Sequence, residues 1–116
     1  MRERELERLN KAWEVVNKEW GNFREDFLTP VRRLPSLIMS SGLAASLAYL
    51  KKEHPKVYEE ISRWVSEIVW GEEEDLLEIL RKGDIELYLW ATEEALAFAG
   101  WLKRLGEARE KSGASK

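Results

Sequence analysis

Seven large apolar residues, Leu6, Leu9, Trp13, Val16, Trp20, Phe23 and Phe27, follow one another at steps of three and four without a fault. Only a helix brings such a series onto one face, so the chain opens on an amphipathic helix that must bury that face against something else. The series predicts one helix from the N-terminus to about Leu28, with the seven residues in the core. Thr29-Pro30 is expected to end it, because the residue before a proline is pushed out of helical geometry.

The same periodicity continues downstream. Pro35 fits the first turn of a short helix, and Gly42 fits the left-handed residue that closes it. Leu43, Leu47 and Leu50 share one side of a helix to Lys52. His54-Pro55 opens another, carrying Val57, Ile61, Trp64, Val65 and Ile68 to a stop at Gly71. The run "EEEDLLEILRKG" reads as a short helix with acids at its positive end and bases at its negative end. Asp84 is expected to cap a long final helix to about Glu110, whose main stripe is Tyr88, Ala91, Ala95, Phe98, Leu102 and Leu105. No segment alternates apolar and polar residues every second position between turn signals, so no strand is predicted. The expectation is all-α: a single-domain bundle of about five to seven helices over residues 1–110, with long helices at both ends and a flexible tail at 111–116.

With 116 residues the chain can bury a core without staples. It has no cysteine, which excludes disulfides and thiolate metal sites and suits a cytoplasmic protein. The charged start lacks the apolar run of a signal peptide, and nothing approaches the roughly 20 apolar residues of a membrane span. Catalytic readings fare poorly. His54 is the only histidine, placed before a proline where a cap or loop role suffices. Glu72, Glu73, Glu74 and Asp75 are consecutive and fan around a helix rather than converging on one ion, so no metal site is assigned. "SSGLAAS" lacks the spacing and the lysine of a phosphate-binding loop. No enzyme activity, cofactor or small-molecule substrate is expected.

Charge distribution is more informative. Although the net charge is −3, residues 27–56 carry five bases against one acid, residues 57–100 three against twelve, and residues 101–116 five against two. A local positive patch is enough to contact phosphate, whatever the overall charge. On the last helix Trp90, Ala97 and Trp101 lie off the main stripe and near Arg104, which leaves two readings open: burial on a second side, or a partner surface.

"RRLPSLIMSSGLAASLAYLKK", followed some forty residues on by "YLWATEEALAFAGWLKRLGEAREK", resembles the small helical subunit of the Cmr complex, the type III-B CRISPR RNA-silencing effector. The resemblance rests on Leu34, Pro35, Ile38, Gly42 and Leu43, and on Tyr88, Thr92, Glu94, Ala95, Leu96, Trp101, Leu102, Lys103 and Arg104. It covers nearly the whole chain, with residues 56–84 contributing least; the equivalent type III-A subunit is functionally close. It implies a non-catalytic protein, several copies of which stack along a filament of backbone subunits holding guide RNA. Together the small subunits would line the groove that receives the target RNA complementary to the guide, with the backbone and large subunits, further copies of the chain and guide-paired target RNA as partners. The resemblance does not say which bases touch RNA. The charge map selects Arg32, Arg33, Lys51, Lys52, Lys103 and Arg104: the Pro/Gly joint sets the first four around a bend, and with Lys103 and Arg104 they are expected to make one phosphate-binding face. Trp90, Ala97 and Trp101 are the expected partner interface. An adaptor docking through the N-terminal stripe, without any RNA role, is the alternative, and a carboxylate-dependent nuclease a more distant one.

Overall fold

Ala91, Ala95, Phe98, Ala99, Leu102 and Gly106 form a buried line along the last helix, and the alanines and Gly106 let several neighbours approach that helix at once. The computed structural model describes residues 2–114. Its elements are α1 (Arg2–Lys18), α2 (Trp20–Asn22), a π-helical turn (Phe23–Leu28), α3 (Thr29–Ser41), α4 (Leu43–Glu53), α5 (Pro55–Trp70), α6 (Leu76–Lys82) and α7 (Ile85–Ala114). The fold is all-α, as the periodicity requires. At 30 residues α7 is about 45 Å long by its helical rise, close to the 48 Å long axis of the molecule. It is the axle against which α1, α3 and α5 pack.

Long-range bonds give the helix directions. Arg8 meets Glu94 and Asn17 meets Arg109, so α1 and α7 run parallel. Arg32 meets Glu107 while Tyr88 Oη accepts the Ala44 amide at 2.9 Å, so α3 runs antiparallel to α7. Asp84 caps α7 as expected, its carboxylate accepting the Leu87 amide at 2.9 Å. Gly71 closes α5 in the left-handed region, and Gly42 separates α3 from α4 at φ +87°. Only glycine adopts those angles at little cost.

Four expectations are corrected. The first concerns the N-terminal stripe. The helix stops at Lys18, breaks at Glu19, and resumes as the short α2 and then the π turn, so no straight face runs to Leu28. Ala12, Val15 and Val16 face the core, while Leu6 and Trp13 are 59% and 60% exposed. Small Ala12 allows α1 close against α7, and Trp13, about 100° further round the helix, is left outside. The π turn adds a residue, and that re-aims Phe23, Phe27 and Leu28 inward; Phe23 and Phe27 stack at 5.2 Å.

Second, Thr29-Pro30 does not end a helix. Leu28 is helical at φ −62°, ψ −45°, and α3 follows directly. The wider π turn makes room for the Pro30 ring that a tight α turn would obstruct. Third, Pro35 lies inside α3, not in its first turn. Fourth, residues 72–74 precede α6 in non-helical conformation, where Ser62 and Ser66 of α5 bind the backbone of Glu74 and Leu76. The last helix also runs four residues past Glu110, to Ala114; residues 115 and 116 of the expected tail lie outside the described residues.

Candidate nucleic-acid interface

The bases picked out by the charge map do not form one face. Arg32 is consumed within the fold: its guanidinium lies 2.8 Å from Glu107 and 3.7 Å from Glu110, clamping α3 onto α7. Lys51 is consumed too, 3.1 Å from Asp75 and 5.3 Å from the centre of the Tyr58 ring, where it ties α4 to the segment before α6. Neither partner was legible in the sequence, since Arg32 and Glu107 are 75 positions apart.

Arg33 and Lys52 turn the other way. One residue is about 100° of helix, so each points away from its clamped neighbour. Both are exposed and enter none of the ion pairs among the described residues. Arg33 and Tyr49 line the same groove between α3 and α4, so these helices form an antiparallel hairpin; Lys52 lies one turn beyond Tyr49. The expected bend is therefore a hairpin, and it brings together Arg33 and Lys52, not all four bases. On α7, Lys103 is exposed one turn before Glu107, on the edge facing α3. Arg104 points to the opposite edge, its guanidinium 5.6 Å from the Trp101 ring centre.

The two tryptophans differ in their surroundings. Trp101 and Ala97 are half-buried, Trp101 packing on the core, whereas Trp90 is 48% exposed. Leu6 and Trp13 of α1, expected in the core, add to this exposed apolar strip, and a cleft of about 470 Å³ opens between Trp13, Leu105, Ala108 and Arg109. Met39 on α3 is also exposed, as are Ile85 and Leu89 on the edge of α7 facing α3. Sequence reasoning missed Tyr49 as well; its place off the Leu43–Leu47–Leu50 side of α4 was the available signal.

The most perturbed titrating pair is structural. Burial, then donation to Asp75, pushes the Tyr58 phenol up to about 12. Burial pushes Asp75 upward, but the hydrogen bonds from Tyr58 and Lys51 outweigh it and hold the carboxyl below its ordinary range. The pair keeps its protons fixed around neutrality, which suits a strut rather than proton transfer. Among the described residues no group of three or more metal-ligating side chains converges, and no helix is long and apolar enough to cross a membrane.

Comparison with known proteins completes the description. A family model described as "CRISPR-associated protein (Cas_Cmr5)" matches residues 4–109. A protein of Thermotoga maritima named "CRISPR system Cmr subunit Cmr5" is 32% identical over 106 residues, covering 88% of this chain and 81% of its own length. One of the same name from Thermus thermophilus is 27% identical over 110 residues, covering 93% and 96%. No significant match to a solved structure was found.

Proposed function

The chain belongs to the Cas_Cmr5 family of CRISPR-associated proteins, and from that premise we propose that it works as a non-catalytic small subunit of a type III-B effector in the cytoplasm, stacking in several copies along the backbone subunits and contacting target RNA. The observation that carries the RNA contact is the division of labour among its bases. Arg32 and Lys51 are spent holding helices together, while their sequence neighbours Arg33 and Lys52, with Lys103, stand exposed and uncommitted. Mobile cations on a rigid frame contact phosphates without reading sequence, and pairing to the guide supplies specificity. Arg104, on the Trp101 edge, fits the protein-facing side better than the RNA-facing one.

The test separates the two groups of bases. Arg33→Glu, Lys52→Glu and Lys103→Glu together should weaken capture of target RNA by the assembled complex at least tenfold, with the melting temperature of the subunit little changed. Arg32→Glu with Lys51→Glu should instead lower the melting temperature. Unchanged capture by the first set at physiological salt would remove the RNA role. A second reading, a helical adaptor with no RNA contact, draws on the exposed Leu6, Trp13 and Trp90 strip. It predicts that nuclease treatment leaves the association with the other subunits intact and that target capture ignores all the charge reversals.

A further inference from the structure

The groove between α3 and α4 is open to solvent and has a volume of about 560 Å³, within the range of about 300–1,000 Å³ usual for small-molecule sites. Its lining has no carboxylate. Arg33 lies on one wall with its guanidinium uncommitted, since Arg32 alone of the two arginines is engaged by Glu107. Ser36 and Ser40 present hydroxyls one turn apart on the same wall. Ser40 donates to the Leu37 carbonyl at 3.3 Å, which leaves its lone pairs to accept a further bond. Tyr49 stands on the opposite wall, 40% exposed. The His54 ring lies beside it, with centroids 5.8 Å apart and planes at 64°, and the exposed part of the Tyr49 ring is the surface offered to a base. Arg32, also in the lining, is neutralised by Glu107 and Glu110, while Asp26 and Glu53 line a separate cleft with His54 and Lys56.

We propose that this groove receives one unpaired nucleotide of a single-stranded RNA, its base stacked on Tyr49 and its phosphate held by Arg33. The inference rests on the RNA contact argued above and gives it a subsite for target nucleotides that are not paired to the guide. An arginine fork takes a phosphate bidentately, an exposed aromatic ring takes any base by its face, and a serine oxygen accepts from a 2′-hydroxyl. Lys52, one turn beyond Tyr49, stands where the next phosphate of the strand would pass. A base inside a duplex has no free face to offer, so the site selects unpaired RNA.

The experiment uses the full chain with a fluorescent ten-nucleotide RNA carrying one 4-thiouridine, read by anisotropy, photocross-linking and peptide mapping. The cross-link should fall on Tyr49. Tyr49→Leu should abolish it and weaken binding about 5- to 150-fold, with Tyr49→Phe close to the unmodified chain. Arg33→Ala should reduce the slope of log K against log salt by about 0.7, the value of one single-strand phosphate. The same RNA annealed to its complement should lose the Tyr49 cross-link. Binding indifferent to Tyr49→Leu, an equal cross-link from the duplex, or a free mononucleotide competing as well as the strand would overturn the proposal. Cross-links confined to the Lys52 or Lys103 peptides would do so while leaving the RNA role standing. No cross-link to the chain, alone or in its assembled complex, would remove both.

Discussion

Tyr58 joins three elements through one side chain. Its hydroxyl donates to Asp75 and accepts the Leu77 amide at 3.2 Å, and its ring lies under Lys51, so one side chain of α5 holds α4 and the start of α6. A phenol raised from 10.0 to about 12 stabilises the fold fully below pH 10 and loses that contribution as pH rises through about 12. An absorbance titration should show a tyrosinate step near pH 12 that Tyr58→Phe removes. The sign for Asp75 is opposite. Its depressed carboxyl contributes above its ordinary value of 3.8 and loses that contribution as pH falls through the lower folded value. Asp75→Asn should therefore cost about 1 kcal/mol, modest for a partly exposed carboxylate, with the difference in melting temperature closing in acid. Gly106 is the other exacting position, since a Cβ there would land on the Phe23 ring and lie 3.2 Å from Leu28 Cδ1. Gly106→Ala should lower stability by about 1–3 kcal/mol in denaturant unfolding, the usual cost of overpacking.

Among the elements, α1 is held by a polar anchor rather than by its apolar stripe. Glu94 of α7 is only 4% exposed and accepts from Arg8 at 2.6 and 2.9 Å and from Trp64 Nε1 at 2.8 Å, which joins α1, α5 and α7 at one carboxylate. Removing the arginine leaves a buried charge with a single donor. Arg8→Ala should cost about 3 kcal/mol, the low end for breaking a buried pair because Arg8 keeps some contact with water. Hydrogen exchange should accelerate in α1 before it does in α5. Equal acceleration throughout would mean that α1 has no local opening of its own.

For the whole molecule, exposed apolar residues gather along two sides of α7, apart from Tyr49 in the α3–α4 groove and Trp70 at the end of α5. Leu6, Trp13 and Trp90 line the edge beside α1, and Met39, Ile85 and Leu89 the edge beside α3. Unlike patches on different sides of one subunit permit head-to-tail contacts that extend into filaments rather than closing as a dimer. Trp13→Ala with Trp90→Ala should weaken assembly roughly 30-fold or more, as loss of interface anchors does, while leaving thermal unfolding of the free chain nearly unchanged. Trp101→Ala should affect both, because Trp101 also packs on the core. Native mass spectrometry and calorimetry on the same variants would separate these outcomes, and intact assembly in the first double variant would return that strip to ordinary surface.

Local chemistry is what the sequence determined. The 3.6-residue stripes of α4, α5 and α7, the glycines at 42 and 71 and the Asp84 cap depend on neighbours within a turn or two, and all appear where periodicity and backbone preference put them. The two segments that carry the family resemblance became α3–α4 and most of α7, so kinship was legible before any geometry. Tertiary structure alone decided the rest. Whether Trp13 or Ala12 faces inward depends on how closely α7 approaches, which its alanines and Gly106 set from some ninety positions away. Whether Arg32 or Arg33 stays free depends on Glu107 and Glu110 arriving beside one and not the other. Such pairings are properties of packed helices, and a one-dimensional pattern carries no term for the distance between residues that only folding brings together.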